Sequence, residues 1–463
     1  MKSLWERLAH YGVSSVLPMH MPGHKRKKGY LGGINQYDIT EVTGFDDLHH
    51  PEGLLKEAME EAASLYHSKA SYFLVNGSTC GILSAITAAT KPGDKILLSR
   101  NCHKSALNAV TLLQLEPIWL EPPIVSDLHV YGSIPPDAVK EAFAAHPEIT
   151  AVLLVSPTYE GIVSDVRTIA EICHRKGVPL LIDEAHGAHF HFSADFPADA
   201  LSCGADIVVE SLHKTLPALT QTAILHLQGT LIPEDRLRFA LQSYESSSPS
   251  YLLMASAIEC IKTMTEQGKK LMADYWDHLT ALRKALSALG ESFLLSKNAD
   301  DAIFDYDPGK IVIGFHGYHG GEIQGALLRR HRVEIEMAAP GYIVAMTSPF
   351  DGSENFFRFQ SAVTHLRQDL PLKGKAPFPV LWPHHGEKAM LPGEALYAEK
   401  ETLPFKEAQN RIAAETIYLY PPGSPLIAAG EYIREEELLA IKECEEKGFT
   451  IHGIKNGQIK VIK

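Results

Sequence analysis

Short apolar runs alternate with amphipathic segments along the chain from about Tyr72 onward. Such alternation is typical of βα units wound around a mostly parallel sheet. Segments such as 136–145 and 165–176 space apolar residues at three and four, which predicts helices that cover this sheet. The pattern therefore predicts an α/β fold. The predicted strands of the sheet are 95–99, 151–156, 179–183, 206–210 and 223–227.

The second half of the chain follows a different pattern. A helix-rich stretch at about 250–289 ends at Gly290, which indicates a domain boundary nearby. The Pro- and Gly-rich stretch 370–393 is typical of a linker. We therefore expect a major domain with an N-terminal segment at 1–300 and a smaller α+β C-terminal domain at 301–463. The predicted elements that follow the boundary are strands at 310–315, 333–337 and 342–347 and a helix at 321–331.

Composition narrows the choice of partners and compartment. The net charge of -13, from 43 basic and 56 acidic residues, argues against nucleic acid and mildly favours cationic small molecules. The N-terminus carries charge and lacks an apolar signal region, and no run approaches the roughly 18 apolar residues of a membrane span. The six cysteines include no C-x-x-C pair, which argues against a disulfide framework. We expect a cytoplasmic protein without a membrane or nucleic-acid partner.

A lysine and an aspartate follow two predicted strands of the sheet. Lys214 comes shortly after the strand 206–210, and Asp183 ends the strand 179–183. Both lie at carboxyl ends of strands, where open α/β sheets bind ligands. The pair suits pyridoxal phosphate (PLP), because the lysine can form a Schiff base with the aldehyde while the aspartate keeps the pyridine nitrogen protonated. We therefore expect this cofactor at Lys214 and Asp183.

Two further segments suit other parts of the same cofactor. Ser78 and Thr79 precede a helical run, so their hydroxyls and the N–H groups of a helix N-terminus could bind the phosphate. His103 follows the strand 95–99 and could stack on the ring. The plain alternatives are N-caps for Ser78 and Thr79, which are compatible with phosphate binding, and a buried, hydrogen-bonded role for His103.

With these residues the sequence resembles the Orn/Lys/Arg decarboxylase family, PLP enzymes of aminotransferase-like fold (fold type I). The resemblance implies a fold type I large domain, PLP as cofactor, and decarboxylation of arginine, lysine or ornithine to the amine and carbon dioxide. The motifs that carry it are Met-Pro-Gly-His-Lys at 21–25, Gly-Phe-Asp-Asp-Leu-His-His at 44–50, Asn-Gly-Ser-Thr at 76–79, Arg-Asn-Cys-His-Lys-Ser at 100–105, Asp-Glu-Ala-His at 183–186, Ser-Leu-His-Lys-Thr-Leu at 211–216, Ser-Ser-Ser-Pro at 246–249 and Tyr-Pro-Pro-Gly at 420–423.

The resemblance also implies a role for each matching residue. Lys214 would be the Schiff-base lysine, Asp183 would pair with the ring nitrogen, and His103 would stack on the ring. Ser247 would reach the cofactor from a neighbouring subunit, so the resemblance implies a homodimer with shared active sites. The phosphate contacts that it implies come from Ser78, Thr79, Ser211 and His213.

The chain departs from the longer family members in two respects. It begins almost directly with the cofactor domain, so we expect a short form without an N-terminal wing domain and without large acid-stress assemblies. His186 stands where some members have an aromatic residue. We expect His186 among the cofactor contacts, on a wall whose packing differs from theirs.

The substrate side of the mechanism is assigned to fewer residues. Glu415, shortly before the Tyr-Pro-Pro-Gly motif, is the candidate for binding the distal cation of a basic amino acid, with Asp46 and Asp47 as weaker candidates. A solvated glutamate on a helix face is the plain alternative for Glu415. His213 or Lys214 can return a proton to Cα after carbon dioxide is lost.

Other functions stay open at this point. An aminotransferase on the same fold would hold the substrate α-carboxylate with an arginine such as Arg358, and would release a keto acid. A non-catalytic PLP-binding protein would carry the cofactor but form no product. We expect no metal, because His186, His189 and His191 lack the helical H-E-x-x-H spacing of a zinc site.

Overall fold

The computed structural model describes residues 3–125, 130–373, 386–420, 425–446 and 450–463. Residues 421–423 of the Tyr-Pro-Pro-Gly motif and 374–385 of the expected linker therefore lie outside the described residues. No helix in these ranges is both long enough and apolar enough to cross a membrane. The helices are α1 (Leu4–Gly12), α2 (Leu54–Leu65), α3 (Gly77–Ala89), α4 (Lys104–Leu112), α5 (Pro136–Ala145), α6 (Val166–Arg175), α7 (Leu212–Thr215), α8 (Glu234–Tyr244), α9 (Tyr251–Ser287), α10 (Gly320–Ala326), α11 (Ser353–Asp369), α12 (Pro392–Tyr397) and α13 (Glu435–Glu446).

The strands form one large sheet and several small ones. They are β1 (Ala70–Leu74), β2 (Lys95–Ser99), β3 (Glu116–Leu120), β4 (Ile124–Val125), β5 (Val130–Tyr131), β6 (Ile149–Val155), β7 (Ile162–Val163), β8 (Leu180–Asp183), β9 (Ile207–Glu210), β10 (Ala223–Leu227), β11 (Ser292–Leu294), β12 (Asp305–Tyr306), β13 (Lys310–Phe315), β14 (Met337–Ala338), β15 (Ile343–Met346), β16 (Lys400–Pro404), β17 (Ile417–Tyr420), β18 (Pro425–Ile427), β19 (Thr450–His452), β20 (Ile454–Lys455) and β21 (Gln458–Ile462).

The large sheet has seven strands in the order β1-β10-β9-β8-β6-β2-β3. The pairs from β9 to β3 are parallel, whereas β10 runs antiparallel to both of its neighbours. Every residue of β8, β9 and β10 is buried, as expected for strands covered on both faces. The predicted α/β fold with a mostly parallel sheet is confirmed, and the five predicted strands coincide with β2, β6, β8, β9 and β10.

The parallel pairing places three strand ends together. Val155 at the end of β6 lies beside Asp183 of β8, and Asp183 lies beside Val209 of β9. Since parallel strands end at the same edge, the segments that follow β6, β8 and β9 converge there. This edge holds the candidate site.

A second sheet, antiparallel in the order β11-β13-β15-β14, is packed against α9 and α10. The short pairing of β7 with β12 joins this part of the chain to the loop that follows β6. Beyond it, β16 to β21 form two three-stranded sheets around a separate apolar core. Residues 301–463 thus contain more than one sheet, and the division at residue 300 stays a prediction.

The predicted strand at 333–337 is wrong except at its last residue. Arg332 has a left-handed backbone with φ of 55°, and the Val333 N–H donates to the carbonyl of Leu327 at 3.2 Å. These residues close the end of the preceding helix, which continues beyond α10 as far as His331. Only Met337 of the predicted strand enters β14.

Candidate active site

A cavity of about 520 Å³ opens at the carboxyl ends of β6, β8 and β9. Its volume lies within the range of small-molecule sites. The structure brings eight of the ten predicted site residues to its wall, which are Ser78, Thr79, His103, Asp183, His186, Ser211, His213 and Lys214.

Asp183 and Lys214 reach the cavity from neighbouring strands. Asp183, the last residue of β8, is 7% exposed and accepts the backbone N–H of Ala185 at 3.1 Å. Lys214 lies on α7, a single turn that begins directly after β9 and Ser211. Burial lowers the pKa of Lys214, and the nearby carboxylates of Asp183 and Glu336 oppose that shift. The site therefore holds an acid and an amine whose free, nucleophilic form is favoured by burial.

One end of the cavity offers donors without partners. Helix α3 begins at Gly77, whose φ of 77° lets the chain turn sharply from β1, and no side chain caps its first turn. Ser78 and Thr79 lie in that first turn. The hydroxyl of Ser211 is fully buried and has no hydrogen-bond partner among the described residues. Uncapped N–H groups and a buried, unpaired hydroxyl are the features that bind a dianionic phosphate.

The two histidines nearest these groups have defined hydrogen-bond roles. The Nδ1 atom of His213 lies 2.8 Å from the carbonyl oxygen of Thr222, so this nitrogen carries the proton in the neutral ring. Burial lowers the pKa of His213. The Nδ1 atom of His103 accepts the backbone N–H of Ser105 at 3.3 Å and caps α4, while the ring remains exposed on the cavity wall. His103 is therefore an N-cap as well as a wall residue.

His186 lies between two lysines. Its Nε2 atom is 3.1 Å from Nζ of Lys214, and its Nδ1 atom is 2.8 Å from Nζ of Lys310. The Tyr159 ring and the imidazole pack in a T-shaped arrangement with 4.7 Å between ring centroids. Lys310 is 1% exposed, and burial lowers its pKa to about 8. Sequence reasoning missed Lys310, although a lysine that opens the apolar run Ile-Val-Ile-Gly-Phe is a usable signal.

Two glutamates near the lysines were also missed. Glu160 lines the cavity, is buried, and accepts the hydroxyl of Tyr342 at 3.0 Å. Burial raises its pKa. Glu336 accepts a hydrogen bond from the hydroxyl of Tyr159 and is close enough to raise the pKa of Lys214. Glu160 therefore adds a carboxyl group to the cavity wall, whereas Glu336 lies near Lys214 without lining the cavity.

The structure does not bring Glu415 or Ser247 to the cavity of their own chain. Glu415 pairs with Lys460 at 2.6 Å and is 44% exposed. Ser247 is exposed on the loop between α8 and α9. Both assignments stay predictions. Asp46 accepts the backbone N–H groups of Asp47, Glu52, Gly53 and Leu55 at 2.9 to 3.0 Å, which gives it a loop-ordering role.

The structure does not place the residues expected for an aminotransferase or for a zinc site in a matching arrangement. Arg358 donates to the carbonyl of Arg332 at 3.1 Å and does not line the cavity. His189 contacts Asp307 at 3.2 Å, whereas His191 contacts a backbone carbonyl at 3.0 Å. Within the described ranges, no three metal-binding side chains come together.

Comparison with known proteins decides the family. The model of the Orn/Lys/Arg decarboxylase major domain matches residues 4–324, and that of the C-terminal domain matches residues 377–445. This chain belongs to the Orn/Lys/Arg decarboxylase family. The predicted membership is confirmed, and with it the expectation of an enzyme that decarboxylates a basic amino acid.

Relatives of similar length carry the name arginine decarboxylase. The Bacillus subtilis enzyme is 31% identical over 99% of this chain and 97% of its own length. That of Halalkalibacterium halodurans is 32% identical over 99% of this chain and 96% of its own. These relatives therefore match this chain over nearly its whole length.

Solved structures confirm the predicted fold type I architecture. A lysine decarboxylase from Pseudomonas aeruginosa superposes with a TM-score of 0.85 at 20% identity, covering all of this chain and 80% of that one. An alanine–glyoxylate aminotransferase from Nostoc superposes with a TM-score of 0.57 over 76% of this chain and 97% of its own, at 15% identity. At these identities the likeness concerns the fold alone.

Proposed function

We propose that this decarboxylase uses PLP bound at Lys214 and acts on arginine. The observation that carries the proposal is the meeting of Lys214 and Asp183 in one cavity, beside the uncapped start of α3 and the unpaired hydroxyl of Ser211. PLP needs an amine for its aldehyde, an acid for its ring nitrogen and donors for its phosphate. The cavity offers all three kinds of group.

The residues fit the cofactor at each of its ends. Ser78, Thr79, Ser211 and the first N–H groups of α3 would hold the phosphate, and Asp183 would hold the protonated ring nitrogen. His103 lines the cavity and would stack on the ring. When bound, PLP supplies an electron-accepting ring for the electrons of the broken bond between Cα and the carboxylate.

The side chains of the chain prepare the reaction in three ways. Lys214 would have to be a free amine to react with the aldehyde of PLP, and burial favours that form. Asp183 is only 7% exposed at the cavity wall, and burial strengthens its interaction with a cationic partner. His213 and Lys214 are the groups on this wall that can return a proton to Cα.

Arginine is proposed as the substrate on the names of the relatives that match this chain over nearly its whole length. Glu160 lines the cavity and would meet the distal cation of a basic amino acid there. The constitutive lysine decarboxylase of Escherichia coli is less similar, at 22% identity, and this chain covers 75% of it. This difference favours arginine over lysine.

The homodimer remains part of the proposal. Ser247 is exposed outside the cavity of its own chain, so it can contact a cofactor only in a neighbouring subunit. Glu415 likewise lies outside the cavity of its own chain. It can contact a substrate only in a neighbouring subunit or after a movement within its own chain. Polyamine production and a cytoplasmic location are proposed with it, on the basis of the chemistry and composition.

The test is direct product analysis. Purified protein is incubated with PLP and, separately, with arginine, lysine and ornithine, beside a Lys214→Ala control, and carbon dioxide and amine are measured. Release of agmatine that vanishes in the control would support the proposal, and cadaverine or putrescine would reassign the substrate. A keto acid would favour the aminotransferase, and bound PLP without any product would favour a binding protein.

A further inference from the structure

Lys310 has no role in the function proposed so far, although His186 connects it to Lys214. The two lysines approach the two ring nitrogens of the same imidazole at 3.1 and 2.8 Å. His186 is 7% exposed and Lys310 is 1% exposed. Lys310 starts β13 in the second sheet and passes close to Gly161, where an added Cβ would lie 2.7 Å from its Cγ. The amine is therefore held on a fixed path to His186.

The imidazole limits the number of protons that the side chains of Lys214, His186 and Lys310 can share. A neutral imidazole has one N–H donor and one acceptor nitrogen, and an ammonium group can only donate. If both contacts are hydrogen bonds, one lysine is an ammonium and the other is a neutral amine. An imidazolium is disfavoured, because burial and then the two lysines hold the pKa of His186 well below its ordinary value.

The charged surroundings allow either lysine to carry the proton. Lys310 is stabilised as an ammonium by three acidic neighbours, while burial and Lys214 lower its pKa to about 8. It is therefore a base that works near neutral pH. The groups that face the three side chains are Asp307, Glu160 and Glu336 around Lys310, Asp183 and Glu336 around Lys214, and His103 and His213 around His186.

We propose that Lys310 accepts the proton that Lys214 loses, through the imidazole of His186. The step is balanced: an N–H bond of Lys214 breaks as its proton passes to Nε2 of His186, while the proton on Nδ1 passes to the amine of Lys310. Lys214 becomes a neutral nucleophile, Lys310 becomes an ammonium, and His186 stays neutral in its other tautomer. Lys310 and His186 are thus positioning residues for Lys214. The inference rests on the proposed function, in which Lys214 must act as a free amine.

The test titrates Lys214 in the full-length chain freed of PLP. The amine is labelled with acetic anhydride at a series of pH values, and the Lys214 peptide is quantified by mass spectrometry. Lys310→Met keeps the length of the side chain but removes the base, so the apparent pKa of Lys214 should rise by about one unit, with about tenfold slower labelling below it. Lys297→Met, which removes an exposed lysine paired with Asp305, is the matched control and should change nothing.

A second pair of variants separates the relay from simple repulsion between two cations. In a His186→Phe background, Lys310→Met should shift the apparent pKa of Lys214 by less than about a third as much. The reason is that phenylalanine lacks the two ring nitrogens that connect the lysines. An equal shift in both backgrounds would overturn the relay in favour of repulsion through space. No shift from Lys310→Met in the wild-type background would also overturn it.

Lys310→Arg adds a further distinction and a folding check. An arginine remains charged and cannot accept the proton. Because its charge disfavours the ammonium form of Lys214, Lys214 should stay reactive at low pH. The rate at which PLP reacts with Lys214 should lose its dependence on pH near 8. A pH dependence equal to that of the wild type would contradict the proposal. These measurements need no turnover, so an absence of decarboxylation would count against the proposed function without affecting the relay.

Discussion

Replacing Ser211 with alanine is expected to weaken PLP binding without destabilising the chain that lacks PLP. The hydroxyl of Ser211 is fully buried and has no partner among the described residues. A buried hydroxyl without a partner costs free energy, so its removal from the PLP-free chain should leave the unfolding free energy unchanged or raise it by up to about 1 kcal/mol. The effect on stability alone is therefore small or favourable.

Whereas the substitution leaves the PLP-free chain at least as stable, it should make the binding of PLP less favourable. A hydrogen bond from a hydroxyl to a charged phosphate contributes about 1.5 to 3 kcal/mol. Losing it should raise the dissociation constant of PLP by about 13- to 160-fold, because 1.36 kcal/mol corresponds to tenfold. The thermal stabilisation by a fixed PLP concentration should shrink accordingly. The substitution thus preserves or raises the unfolding free energy of the PLP-free chain and weakens the binding of PLP.

The assay is a PLP titration followed by absorbance, together with thermal unfolding of both forms. Ser99→Ala is the matched control, since Ser99 is also fully buried with an unpaired hydroxyl in the described chain but does not line the cavity. Wild-type affinity for PLP in Ser211→Ala would refute the reasoning. So would an equal loss of affinity in both variants.

Three further outcomes are expected. Asp183→Asn should reduce the turnover number for decarboxylation by at least about 100-fold, since an amide does not keep the ring nitrogen protonated; carbon dioxide release by PLP-saturated variant measures this. Arg100→Ala should lower the unfolding free energy by about 3 to 5 kcal/mol, read from urea unfolding, because Arg100 pairs with Glu431 at 2.8 Å and both are buried. Burial raises the pKa of Glu210 well above its ordinary 4.5, so the folded chain keeps this proton where the unfolded chain has lost it. The unfolding free energy should therefore fall as pH rises from about 4.5 towards the raised pKa, and Glu210→Gln should flatten that slope in thermal unfolding measured from pH 5 to 9.

Sequence reasoning reached the groups that lie on the parallel part of the sheet. Asp183 and Lys214 follow strands whose apolar runs are easy to recognise, and parallel strands end at one edge. Ser78 and Thr79 were found because a polar turn precedes a helix. In each case a local pattern and one rule of topology were sufficient.

The local pattern could mark Lys310 as an unusual lysine, but it could not place Lys310 or Glu336 beside the first sheet. They belong to the second sheet and its loops, and nothing in local periodicity states how that sheet docks on the first. Lys310 is brought to His186 by long-range contacts, such as the hydrogen bond from the Asp307 N–H to the carbonyl of Gly161 at 2.8 Å. Such contacts depend on tertiary packing rather than on the spacing of residues.

The docking of the second sheet explains why His186 differs from a simple wall residue. Without Lys310, its Nδ1 atom would be a buried polar atom in need of a partner, since the ring lies inside the cavity wall. With Lys310 in place, both nitrogens are occupied, and the ring connects the lysine of the first sheet with the lysine of the second. An aromatic residue at position 186 would remove the need for that partner and break the connection. The identity of residue 186 and the burial of Lys310 are therefore physically linked, so substitutions at the two positions should not act independently on Lys214.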